Sequence, residues 1–405
     1  MEAERRTGGS PLTMGIIAAL AMIGPFTIDA VFPAFEIIAH EFDVSSGQMQ
    51  QVTSMYMLAF AVMSLLHGPI SDAVGRKPVM VIGMIAYAGA SLVCMLAPNL
   101  EVLLVGRALQ GFSAGAGQIV SRTVIRDLYK GPAAQKMMAQ VAIIFAVAPA
   151  IAPIIGGWVL GVGSWRVIFG GLVAMGLALA LVVGIALPET HAPERRRPLQ
   201  VRDVLHGVRI VLTDGPYLRL AFAGIFGFAS QFIYIMGAPI IVLQLLGKGE
   251  QDFWMLFVPM VAGMMLGSFV NSRAAHRVAP QAHVTRAMIA LVAAALASVA
   301  VAAWAGNQLP WVMIFPSVIA FAMATSFPIL QLAMLDRFPT RRGGAASGQA
   351  FTQLLFNAAL SGLIVPLVAT SMLSIAIVSA AFGILGGLFW LWHVKRPAPA
   401  RTDQA

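Results

Sequence analysis

The sequence predicts an all-α polytopic membrane protein with twelve transmembrane helices. Of its 405 residues, 59% are hydrophobic and only 11% are Asp, Glu, Lys or Arg, against roughly 45–50% and about 25% in soluble domains. Twelve long apolar runs divide the chain, and 23 of its 26 Lys and Arg residues fall in alternate connecting segments. A soluble globule of this length has no interior large enough for so much apolar surface. The 23 Met and 23 Phe suit a chain whose solvent is largely lipid.

Each span needs roughly 20 predominantly apolar residues. The runs lie at about 13–36, 48–70, 78–97, 100–121, 137–160, 165–187, 217–243, 252–271, 284–304, 309–332, 345–368 and 372–393. Membrane strands would give short alternating segments instead. The first run follows Arg5 and Arg6, but it is longer than a signal-peptide core and contains Asp29, so a retained anchor helix is expected. The cation distribution then predicts cytoplasmic N- and C-termini, leaving Arg166 and Lys248 outside and Arg107 within a span.

The polar stretch from Pro188 to Pro216 separates six spans from six. The predicted organisation is an N-terminal six-helix bundle (1–187), a cytoplasmic linker (188–216) and a C-terminal six-helix bundle with a short tail (217–405). Within the linker, Val201–Val211 has the pattern of a short amphipathic surface helix. Two faint echoes support duplication. Lys130-Gly131-Pro132-Ala133-Ala134 after span 4 resembles Arg342-Gly343-Gly344-Ala345-Ala346 after span 10, and Gly68-xxx-Asp72 is shadowed by Gly267-xxx-Asn271. Paired halves around a midplane cavity are the layout of alternating access.

Several function classes find no support. The single Cys94 lies in an apolar run, which removes disulfide and cysteine-metal chemistry. The net charge of +9 is explained by topology and not by nucleic acid. H-E-x-x-H does not occur, and no G-x-x-x-x-G-K-[ST] loop is present to bring ATP. The chain is therefore read as no enzyme, with no metal and no cofactor.

Asp29 sits about 16 residues into span 1, in the expected outer half of the bilayer. Such a carboxylate pairs, protonates or faces water. We read it as the coupling proton site, the alternative being a polar cap on a helix broken near Pro33. Glu36, on the same face, is read as a solvated end residue before a second proton site. Arg107, some seven residues into span 4, cannot deprotonate and needs an anion or a wet cavity. Either it tunes a carboxylate such as Asp29 across a cavity, or it is tied to backbone carbonyls and Gln110. A soft-walled cavity for a small amphipathic substrate is assigned to Tyr56, Gln231, Tyr234 and Asn357, against a plain packing role for each. His67 is expected at the membrane interface.

The turn between spans 2 and 3 reads Gly68-Pro-Ile-Ser-Asp72-Ala-Val-Gly75-Arg76-Lys77-Pro78. Gly68 and Gly75 are expected to permit close approach and a tight turn. Asp72, Arg76 and Lys77 fall at the cytoplasmic water line, where a carboxylate can face a helix N-terminus such as that at Gly343-Gly344. This set is read as an inner latch, or else as a loop that only sets topology. Further notable stretches are Asp29-Ala-Val-Phe-Pro33-Ala, Gly106-Arg107-Ala-Leu-Gln110-Gly111, Ile125-Arg126-Asp127-Leu128, and the kinking pair Pro149 and Pro153 followed by Gly156-Gly157.

Together these stretches resemble the major facilitator superfamily, and within it the Bcr/CflA branch of drug:proton antiporters. Ala73 departs from the basic residue usual there, and Ala152 from a commoner glycine. The resemblance implies the major facilitator fold of two six-helix halves in a bacterial cytoplasmic (inner) membrane, working as a monomer. It implies protons as the coupling ion, multidrug efflux and antibiotic resistance, an arginine at Arg107 involved in proton transfer, and an antiporter signature at Pro149, Pro153, Gly156 and Gly157. Export or proton-coupled uptake of an endogenous metabolite, such as a sugar, amino-acid derivative or siderophore, is the alternative.

Overall fold

A computed structural model of the chain describes residues 11–196, 198–274, 277–339 and 341–396. Among these residues the regular structure is entirely helical. The first span is α1 (Pro11–Asp29), a 3-10 turn at Phe32–Ala34, and α2 (Phe35–Glu41). Pro25 is accommodated inside α1, whereas the helix ends at Asp29, four residues before Pro33. Proline lacks the N–H that the Asp29 carbonyl would need. The second span is likewise broken, with α3 (Ser46–Ser64) and α4 (His67–Val74) meeting at a bend of 49°.

There follow α5 (Arg76–Met95), α6 (Leu100–Leu128), α7 (Gly131–Leu160) and α8 (Arg166–Ala186). The Asn99 side chain caps α6 by accepting from Val102 N at 3.0 Å, and Pro132 opens α7 where its missing N–H is harmless. A 3-10 turn at Pro193–Arg195 leads to α9 (Val201–Leu212). The remaining helices are α10 (Gly215–Met236), α11 (Trp254–Ala274), α12 (Pro280–Ala305), α13 (Trp311–Asp336), α14 (Arg342–Ala359), α15 (Val365–Val368) and α16 (Met372–Lys395). Pi-helical turns at Ile240–Leu245 and Leu360–Ile364 follow α10 and α14.

Among the described residues, ten helical stretches are long and apolar enough to cross a membrane, and the bent α3–α4 pair makes an eleventh. The twelfth is α6. Its 29 residues exceed the length needed, but Arg107, Gln110, Gln118, Arg122 and Arg126 lower its hydropathy. Large apolar side chains point outward from these helices, among them Ile185, Trp304 and Leu367, each more than three-quarters exposed. In water such a surface would aggregate, whereas lipid solvates it.

The chain separates into two compact units. One holds the residues up to Ser45 together with Gln51–Val204, and the other holds Ser46–Gln50 and the residues from Leu205 onward. Small residues let helices approach inside each unit. A β-carbon on Gly267 of α11 would overlap the carbonyl oxygen of Phe321 in α13. Polar side chains add interhelical ties. Tyr217 of α10 donates to Ala345 O at 2.9 Å, Ser379 of α16 donates to Ser230 O of α10 at 2.7 Å, and Trp390 donates to Thr285 Oγ1 at 2.9 Å.

Candidate functional site

In the first unit, α1, α3, α5 and α6 bring their polar side chains to one buried locus. Arg107 is fully buried. Its Nε donates to Val52 O of α3 at 3.0 Å, and its Nη1 donates to Thr27 O of α1 at 3.1 Å and to Gln110 Oε1 at 3.0 Å. The guanidinium lies 4.8 Å from the ring centroid of Tyr56, a cation–π contact. Nη2 has no hydrogen-bond partner among the described residues. Gln110 passes the network on by donating to Ser91 Oγ at 2.7 Å, and Thr27 Oγ1 meets Tyr87 OH at 2.6 Å.

Asp29 closes α1 two residues beyond Thr27 and is 3% exposed. Asp29 and Arg107 are not among the ion pairs within 4.0 Å found in the described residues. The guanidinium is thus held by carbonyls and an amide, the second of the two arrangements its sequence position allows. Tyr56 belongs to the same locus, its ring under Arg107. Glu36 is exposed.

Gly156 of α7 is pressed against the break in α1, where a β-carbon would overlap the Ala30 carbonyl oxygen. Gly157 and Pro153 are buried beside it, Pro149 is half-buried, and both prolines lie inside a continuous α7. Gly156 therefore serves the approach of α7 to the residue that follows Asp29.

A second locus lies where α4 turns into α5. Gly75 takes φ +113°, a conformation that side chains rarely adopt, and so permits this turn. Gly68 differs from expectation, since a β-carbon there would meet nothing within 4 Å and no close approach requires glycine. Arg76 is the buried centre of the locus. Its Nη1 meets Asp72 Oδ1 at 2.5 Å and donates to Ser71 Oγ at 2.6 Å, while Nε donates to Asp127 Oδ2 at 3.2 Å. Asp72 is half exposed.

Glu189 completes this locus. Its carboxylate accepts from the backbone N of Arg76 at 3.1 Å and of Lys77 at 3.3 Å, capping the start of α5. Thr190 adds a bond to Asp127 Oδ2 at 3.0 Å. Sequence reasoning passed over both residues. Their signal was Pro188-Glu189-Thr190, an acidic residue at the end of span 6 facing a chain of basic turns. His67 is 3% exposed and packed where Gly115 of α6 leaves room for its ring.

In the second unit the candidate wall residues are spread out. Gln231 is buried, with Nε2 3.3 Å from Met264 Sδ. Tyr234 faces Ser298 Oγ at 3.4 Å and lines a small cavity of about 20 Å3 with Trp311, Phe315 and Met372. Asn357 of α14 accepts from Gln353 Nε2 at 3.1 Å. No group of His, Cys, Asp and Glu fit to hold a metal occurs among the described residues.

Comparison with known proteins agrees with this architecture. The profile of the Major Facilitator Superfamily matches residues 14–359. An uncharacterized MFS-type transporter of Bacillus subtilis is 32% identical over 66% of this chain and 67% of its own. The bicyclomycin resistance protein homolog of Haemophilus influenzae is 32% identical over 65% of each chain. Multidrug resistance protein D of Escherichia coli is 26% identical over 93% of this chain and 94% of its own. The chain thus spans about two thirds of the length of the first two relatives and nearly all of the third.

Among solved structures, the D-xylose-proton symporter superposes with a TM-score of 0.72 at 12% identity, covering 97% of this chain and 99% of that one. The human organic anion transporter MFSD10 gives 0.68 at 19%, covering 96% and 99%. These likenesses speak to the fold. Relatives and structural neighbours alike are transporters and not enzymes. With its twelve spans, two compact units and a profile match over most of its length, the chain belongs to the major facilitator superfamily, as a multi-pass membrane protein that carries small substrates.

Proposed function

We propose that the protein exports drug-like small molecules in exchange for protons, by alternating access, with Asp29 as the proton site. The observation that carries this reading is a buried carboxylate at a helix break, beside an arginine whose hydrogen bonds go to carbonyls and an amide. Asp29 is therefore available to a proton, and the Arg107 charge sets the field it titrates in. The names of its relatives, a bicyclomycin resistance homolog and multidrug resistance proteins, support the substrate class.

In this reading the membrane is the bacterial cytoplasmic one, both termini are cytoplasmic, the working unit is the monomer, and the proton is the only coupling group required. Asp29 is protonated from outside, the halves rock, the proton leaves inward, and substrate returns the carrier. Each charge that enters is driven by about 2.3 kcal/mol per 100 mV, plus the pH gradient. The turn at Gly75, Arg76 and Lys77 with Asp72 serves as the latch for one end of the cycle, and Gly156 keeps α7 close to the α1 break. Gln231, Tyr234 and Asn357 supply walls in the second unit.

The test is purified protein in proteoliposomes under an imposed pH gradient, with ethidium and tetraphenylphosphonium as probes. Uphill movement of a probe with opposing proton flux is expected. Probe movement that ignores the pH gradient would overturn the coupling.

A further inference from the structure

The second unit contains an arrangement of side-chain amides that packing alone does not account for. Gln349, Gln353 and Asn357 are spaced four residues apart along α14 and share one face of it. Gln331 of α13 reaches the same face, with Nε2 donating to Gln349 Oε1 at 3.3 Å. That bond links two helices. The bond from Gln353 Nε2 to Asn357 Oδ1, at 3.1 Å, stays within one helix and ties α14 to nothing else.

Gln353 Oε1 is buried without a hydrogen-bond partner among the described residues. An amide oxygen left this way in a lipid-embedded segment is unfavourable, and native proteins retain such groups where they have a use. Phe356 follows three residues on and joins an aromatic group with Phe226 at 5.4 Å and Phe382 at 5.7 Å between centroids. The same unit has no Asp, Glu, Lys or Arg between positions 220 and 247, 287 and 335, or 343 and 392. Its spans therefore offer hydrogen bonds and apolar contact but no counter-charge.

We infer that the face of α14 formed by Gln349, Gln353 and Asn357, with Gln331 of α13, is a recognition site for an uncharged substrate that presents an O–H or N–H donor to Gln353 Oε1. The aromatic group beside it holds the apolar part of the same molecule. This deepens the exporter reading and rests on it. Substrate is read by amides in one unit, while the ionisable pair Asp29 and Arg107 lies in the other.

Equilibrium binding to the purified full chain in detergent tests it without any pH gradient. The probes are chloramphenicol, which is neutral and carries hydroxyl and amide donors, and tetraphenylphosphonium, a cation with no donor. Gln353→Met, close in shape and lacking the amide, is expected to weaken chloramphenicol binding about five- to tenfold and to leave tetraphenylphosphonium within twofold. Gln353→Glu should reverse the preference toward the cation, which a role in packing would not produce. Wild-type protein that does not bind chloramphenicol, equal loss of both probes in Gln353→Met, or unchanged preference in Gln353→Glu would overturn the assignment. If Gln353→Met does not fold, Gln353→Glu decides alone, by its preference. A failure of proton coupling would appear instead as wild-type proteoliposomes that bind probe but do not move it uphill, so the two readings fail separately.

Discussion

Gly156 of α7 lies against the carbonyl of Ala30, the residue that follows the candidate proton site Asp29. Adding a β-carbon there forces the helices apart at the break in α1. Overpacking of this kind destabilises by about 1–3 kcal/mol. Gly156→Ala should therefore lower the thermal unfolding midpoint in detergent and slow pH-driven transport. Gly171→Ala in α8, where a β-carbon meets nothing within 4 Å, should leave both unchanged.

Arg107 joins α6 to α1 and α3 through two backbone carbonyls. Lysine keeps the charge but has no planar fork with which to reach both acceptors and Gln110. Each buried acceptor left unpaired costs about 1–3 kcal/mol. Arg107→Lys is expected to lose stability on that scale, read by thermal unfolding, and to lose transport together with it.

At the turn into α5, Gly75→Ala would place a side chain at φ +113° and against the Glu189 carboxylate. We expect a loss of about 1–3 kcal/mol. Glu189→Gln keeps an acceptor for the helix start and removes the charge, so its loss should be smaller, about 0.3–1 kcal/mol, and should shrink in high salt. Thermal unfolding of both variants at low and high salt checks the order and the salt effect.

Much of the fold was legible because lipid imposes a simple length rule. Even α6 was found as a span, since its apolar residues still fill the length around Arg107. The break in α1 was legible from Pro33, and the turn at Gly75 from its glycine. What the sequence could not convey was which partner a polar group finds across helices. Arg107 allowed a carboxylate or carbonyls, and only the packing of Thr27 and Val52 around it chose the carbonyls. Burial of His67 depended on Gly115, 48 positions away. The Gln331–Gln349 contact was equally invisible, because it joins segments whose proximity follows from tertiary packing and from no local pattern, and the partners of Glu189 at the start of α5 were hidden for the same reason.

The assignment of Asp29 is tested most directly by Asp29→Asn in proteoliposomes, measuring uphill probe movement under an imposed pH gradient beside downhill flux without one. The account predicts that uphill movement disappears while downhill flux remains. Undiminished uphill movement in the asparagine variant would contradict it.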